Sequence, residues 1–234
     1  ALDGLLDRVD GQDAETDRAL DAGRGFGELN QAFDEGAARA DRFAERGITT
    51  GYAGGPGTGP LNPQGEGDWL SQIDRWVADF DPDVVVIEAC CDYTYPPDEL
   101  YRLPDGTEVL PNTDLAYQTW EQVSREMIRR ASAGGARVFW VISPPVKTNG
   151  YYGPMEDHVA RLNEIYRTLP VPKVDWATPS SLNGGYADDL PIGPNGEMVR
   201  VRAADGLHYT PEGDLLLADA TLRTMLQLEA RPGF

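Results

Sequence analysis

The chain has 234 residues, 41% of them hydrophobic, with five tryptophans and a net charge of −19. That length and apolar content suffice for one sizeable packed domain and exclude wholesale disorder. A pI near 4.3 argues against nucleic acid and anionic membrane surfaces as partners, because a phosphate backbone would be repelled rather than neutralised.

Asp3, Asp7, Asp10, Asp13, Glu15, Asp17 and Asp21 crowd the start of the chain, where an α/β domain would want an apolar first strand. Residues 1–25 are therefore set apart as an acidic N-terminal segment, and 26–234 are read as the folded domain. The chain begins at Ala1, which suggests a processed or trimmed product; no signal peptide is visible and no apolar run reaches membrane-spanning length.

Glu28 to Arg46 reads as a helix with Phe33, Ala37, Ala40 and Ala44 along one face and Gly47 as its stop. Ile48 to Tyr52 is expected to form a short strand, running into the glycine-rich turn Ala53 to Gly59. A helix follows over Asp68 to Phe80, ended by Asp81-Pro82. The run Asp83 to Ala89 is the clearest strand, and its unbroken apolar stretch predicts burial on both faces of a parallel sheet. Tyr101 to Pro111 reads as a hairpin turning at Pro104-Asp105-Gly106. Asp114 is expected to cap a helix to about Ala133, with Trp120, Val123, Met127 and Ala131 on its stripe. Arg137 to Ile142 is a second buried strand, stopped by Ser143-Pro144-Pro145. A helix over Met155 to Thr168, a short strand from Lys173 to Ala177 and a hairpin near Gly193 to Gly196 come next. The last helix covers Pro211 to Leu228.

This alternation predicts an α/β fold, a three-layer α/β/α sandwich around a mainly parallel, flavodoxin-like sheet of about five strands. In such sheets functional groups gather beyond the carboxyl ends of the strands. Gly57, Cys91-Asp92, Ser143 and the pair Asp205/His208 all fall at or just past predicted strand ends.

Cys90 and Cys91 are the only cysteines. Neighbours on an extended strand point to opposite faces, so they are expected to be two small buried hydrophobes rather than a disulfide. A zinc site would need more ligands than this pair supplies, and no metal or other cofactor is expected.

Asp205-Gly206-Leu207-His208 carries the chemistry. An aspartate three residues before a histidine can hold one imidazole nitrogen and leave the other to act as general base on a hydroxyl. The same residues also fit a loop aspartate capping the next helix beside an incidental histidine. The other histidine, His158, is expected on a solvated helix face beside Glu156 and Asp157. Lys147 to Tyr152 is a polar, aromatic loop that fits either a carbohydrate-lining segment or a plain surface loop.

From about Glu28 onward the chain resembles the SGNH (GDSL-type) hydrolase superfamily. The likeness is greatest to SGNH domains of actinobacterial surface proteins and of membrane acyltransferases. It rests on Pro82-Asp83-Val84-Val85-Val86, the strand from Ala136 to Pro145, and above all Val201 to Gly213. The resemblance implies an esterase or acyltransferase acting on O-acyl, notably acetyl, esters of glycans or small molecules, in an extracytoplasmic or secreted setting. It implies His208 as the base, Asp205 as its orienter and Gly57 as an oxyanion donor, with Cys91 and Asp92 lining the site.

Two departures stand out. Cys91 falls where the family has an asparagine, and a thiol is a poor donor to an oxyanion. The Gly-Asp-Ser block that bears the family's nucleophile is not present; the nearest alignment sets Gly23-Arg24-Gly25 against it, unless the chain starts just downstream of that block. Of the six serines, Ser71, Ser124, Ser132, Ser143, Ser180 and Ser181, only Ser143 lies at a strand end, as a possible substitute nucleophile or as a cap for backbone groups before the two prolines. Cys91 is a weaker substitute, since nothing near it in sequence would lower its pKa. The alternatives are therefore an SGNH-like binding or scaffolding module without its own nucleophile, or an unrelated flavodoxin-like ligand-binding domain.

Overall fold

The computed structural model describes residues 38–53, 60–61, 69–90, 101–102, 106–150 and 154–229. A helix over 38–44 (α1) is followed by α2 (Trp69–Phe80), β1 (Val84–Ile87), β2 (Tyr101–Arg102) and β3 (Glu108–Val109). Then come α3 (Asp114–Ala131), β4 (Arg137–Ile142), α4 (Glu156–Thr168), β5 (Lys173–Asp175), β6 (Asp189–Leu190), β7 (Val199–Arg200) and α5 (Pro211–Glu229). The acidic segment 1–25 lies outside the described residues.

The apolar run in β4 shows how the layers form. Val138, Trp140 and Ile142 pack with Ile73 of α2, Trp120 and Met127 of α3, and Leu162 and Tyr166 of α4. The alternate residues Phe139 and Val141 pack with Val174 of β5 and with Leu217 and Ala220 of α5. Period-two alternation thus sends each half of one strand into a different core, and both faces of the sheet are covered. The fold is an α/β/α sandwich. Its parallel sheet runs in the order β1-β4-β5, with Val84 opposite Arg137 and Trp140 opposite Lys173. Two antiparallel pairs, β2 with β3 and β6 with β7, stand apart from it as the expected hairpins.

Among the described residues the parallel sheet has three strands rather than about five. The stretch Ile48 to Tyr52 is not one of them: both end residues are exposed, and Gly51 lies so close to the Phe80 ring that an added Cβ would sit 2.6 Å from it. Gly51 of this short stretch lies against the end of α2, and among the described residues the stretch pairs with no strand.

The start of α3 also differs by one residue from expectation. Thr113, not Asp114, is the N-cap: its extended backbone turns its hydroxyl to accept from the Ala116 amide at 3.2 Å. Asp114 is the first helical residue, where its charge favours the helix N-terminus. Thr113→Ala is expected to destabilise the protein by about 1 kcal/mol, measured by urea unfolding.

Candidate functional site

The loop after β4 and the turn before α5 meet at Asp205 and His208. Asp205 Oδ2 is 2.6 Å from His208 Nδ1. Its other oxygen accepts from the amides of Leu207 (2.8 Å) and His208 (3.0 Å). Burial alone would raise the Asp205 pKa; the hydrogen bonds from His208 and Leu207 and the imidazole's charge outweigh it and hold the carboxyl below its usual range. A carboxylate can only accept, so Nδ1 of the neutral ring carries the proton and Nε2 is the basic nitrogen. His208 is about one-third exposed and Asp205 less, so the acid is sheltered and the base reachable.

The turn is built for this pairing. The Ala203 amide donates to the His208 carbonyl (2.9 Å), and Arg202 and Tyr209 form an antiparallel bridge. Gly206 has φ +79°, and the Lys147 amide donates to its carbonyl at 3.1 Å. A Cβ on Gly206 would lie 2.4 Å from Lys147 Cβ, so only glycine lets the loop after β4 cross here. At the entrance to α5, a Cβ on Gly213 would lie 2.1 Å from the Val201 carbonyl oxygen. Glycine is required there because strand and helix approach backbone to backbone.

Other sequence candidates fare differently. Gly57, Cys91 and Asp92 lie outside the described residues, as do Tyr151 and Tyr152. Ser143 is 2% exposed, and among the described residues its hydroxyl has no hydrogen-bond partner, so it does not cap the backbone as expected. The Asn163 side chain does that instead, accepting from the Ser143 amide and donating to its carbonyl, each at 2.8 Å. Ser124 is likewise buried, while Ser132, Ser180 and Ser181 each donate to a main-chain carbonyl of their own segment.

Cys90 corrects another expectation. It is disulfide-bonded rather than a lone buried thiol, and the chain's only other cysteine is Cys91. β1 ends at Ile87, so the alternation that would part adjacent side chains no longer applies at Cys90. Cys90 and Leu207, the latter from the Asp205–His208 turn, both pack against the cluster of Val146, Met155 and Val159.

His158 is not on a solvated face. It is 5% exposed, with Nδ1 3.0 Å from the Tyr117 hydroxyl and its ring edge-on to Trp120. Burial lowers its pKa to about 4, which keeps it neutral. In the unfolded chain it protonates near 6.5, so the unfolded state binds more protons between those values. This contribution is complete above pH 6.5 and is lost as pH falls toward 4. A gap of roughly 2.5 pKa units corresponds to about 3 kcal/mol. His158→Phe is expected to remove this part of the acid sensitivity, read as the difference in unfolding free energy between the two proteins at pH 7 and pH 4.

Sequence reasoning missed an ionic cluster beside the turn. Asp188 takes Lys147 Nζ at 3.1 Å, the Tyr186 hydroxyl at 2.8 Å and Arg200 at 3.3 Å. Tyr186 and Asp188 are two residues apart, but Arg200 lies 12 and Lys147 41 residues from Asp188, and no local spacing marks the set. Among the described residues no group of three or more His, Cys, Asp or Glu is placed to hold a metal ion, and no helix is long and apolar enough to cross a membrane.

A family model described as protein of unknown function (DUF459) matches residues 30–224. No curated protein sequence matches the chain significantly. Similar solved structures include a GDSL-like lipase of Bacteroides thetaiotaomicron, at 16% identity over 85% of this chain and 84% of that one, with a TM-score of 0.52. An alpha/beta hydrolase from the metagenome of Lake Arreo, Spain, aligns at 16% identity over 85% and 82%, with a TM-score of 0.54. The periplasmic domain of a lipopolysaccharide acetyltransferase of Salmonella ser. Paratyphi A aligns at 12% identity over 83% and 78%, with a TM-score of 0.51. At these identities the likeness shows the fold alone, the α/β/α sandwich that the chain shares with these proteins.

Proposed function

Because the chain belongs to this DUF459 family and folds as SGNH-type hydrolases do, we propose that it is an esterase or acyltransferase domain acting on O-acyl, notably acetyl, esters of glycans or small molecules. The observation that carries this reading is the 2.6 Å contact between Asp205 and His208, with the second carboxylate oxygen held by two amides. In the proposed reaction His208 Nε2 takes a proton from an attacking hydroxyl as its oxygen bonds to the ester carbonyl carbon. Asp205 steadies the imidazolium, which then returns the proton to the departing alkoxide. Gly57 is the proposed backbone donor to the oxyanion, and Cys91 and Asp92 the proposed lining, on the strength of the sequence resemblance. Residues 26–234 would form this domain, with 1–25 as an acidic extension. The disulfide at Cys90 supports an extracytoplasmic setting, since oxidising compartments preserve such bonds.

A second reading is an SGNH-like binding or scaffolding module that lacks its own nucleophile. The serines favour it: Ser124 and Ser143 are buried, and Ser132, Ser180 and Ser181 are tied to main-chain carbonyls. The deciding assay is hydrolysis of 4-nitrophenyl acetate and of an acetylated glycan by the purified protein and by His208→Ala. Turnover that depends on His208 supports the first reading; no turnover above buffer on either substrate supports the second.

A further inference from the structure

Arg202 is 1% exposed and has no carboxylate partner among the described residues. Its guanidinium donates through Nη1 to the Leu207 carbonyl (2.7 Å) and through Nη2 to the Pro145 carbonyl (2.6 Å). It lies 4.1 Å from the centre of the Tyr209 ring and 5.4 Å from that of Tyr186, and its buried Nε has no hydrogen-bond partner among the described residues. Stability alone does not account for it, since a charge buried without a counter-ion is costly and an apolar side chain would fill the space more cheaply. What the guanidinium supplies is a planar fork with two fixed donor directions. One points to the residue before His208, the other to the loop that follows β4.

We propose that Arg202 is the positioning residue of the Asp205–His208 pair: it locks the turn bearing the pair against the loop after β4, and so holds the imidazole on its carboxylate. This extends the proposed function but does not need turnover to be tested. The chain has only two histidines, so its ring proton signals in NMR divide between His208, which reports the turn, and His158, which reports the core behind α3 and α4.

The experiment follows the low-field Nδ1 proton of His208 in Arg202→Lys, which keeps the charge but cannot reach both carbonyls, and in Arg202→Met. We expect the exchange of that proton with solvent to rise about tenfold or more in both variants, the factor that loss of one hydrogen bond from a charged donor is worth. The His158 signals stay at their wild-type positions. Where turnover is measurable, kcat falls and KM does not. A His208 proton unchanged in both variants would overturn the proposal. Loss of the signals of both histidines in both variants would also overturn it, because Arg202 would then support the fold at large. Absence of ester turnover with the expected exchange change would sink the enzymatic reading and leave the positioning role standing.

Discussion

His208→Ala is expected to lower kcat/KM for acetyl-ester hydrolysis by about 10²- to 10⁴-fold, the usual contribution of a positioned general base. Asp205→Asn is expected to be nearly as damaging, for a reason visible in the turn. One carboxylate oxygen accepts from the Leu207 and His208 amides, and the other faces His208 Nδ1. An asparagine would keep its carbonyl toward the two amides, because its NH2 group cannot accept from them. The NH2 group then lies against Nδ1 and drives the ring proton to Nε2, where the base is needed. The corresponding substitution in a serine protease costs about 10⁴-fold through the same change of tautomer. Steady-state kinetics on 4-nitrophenyl acetate measures both variants. An Asp205→Asn rate within a few-fold of wild type would mean that the pair is a structural turn and not an acid–base unit.

The parts of this molecule that could be read from sequence are those whose signal is local. The strand from Arg137 to Ile142 announced its two-faced burial by being apolar throughout, and the structure sends its alternate residues into two cores. Asp205 and His208 lie three residues apart, so their pairing needed only a turn. Expectations failed where a local rule was carried past its range. The alternation rule was applied to Cys90 beyond the end of β1. The polar neighbours Glu156 and Asp157 obscured the spacing of His158, Leu162 and Tyr166, which places all three on the buried face of α4. Ile48 to Tyr52 has strand-forming residues, but among the described residues no strand pairs with it. The contacts that brace the turn could not be read at all. Arg202 reaches Pro145 across 57 residues, and Asn163 reaches Ser143 across 20. Neither pairing leaves a pattern in one sequence, because each depends on where the sheet delivers its two ends.

Asp214→Ala is expected to destabilise the protein by about 3–5 kcal/mol, the range for removing one partner of a buried ion pair. The Asp214 carboxylate is fully buried in the first turn of α5. Arg39 Nε lies 2.5 Å from one of its oxygens, and the Arg39 amide donates to the other at 3.2 Å. Arg39 also reaches Glu88, just past the end of β1, at 3.3 Å, and stacks on Trp176. Asp214 is thus the fixed point that docks α1 on α5 and draws Arg39 toward the end of β1. Removing it takes the buried counter-charge from the Arg39 guanidinium and the acceptor from an amide of α1. Asp214→Asn keeps an acceptor for that amide and loses the charge, so its cost should fall between that of Asp214→Ala and wild type. For a domain of this size 3–5 kcal/mol corresponds to a drop in Tm of roughly 10 °C. Chemical denaturation of the three proteins, with Arg42→Ala as a surface control for the more exposed contact to Asp219, separates the buried pair from surface charge. A loss below 1 kcal/mol in Asp214→Ala would show that α1 is held by its other contacts and that the ion pair merely accompanies them.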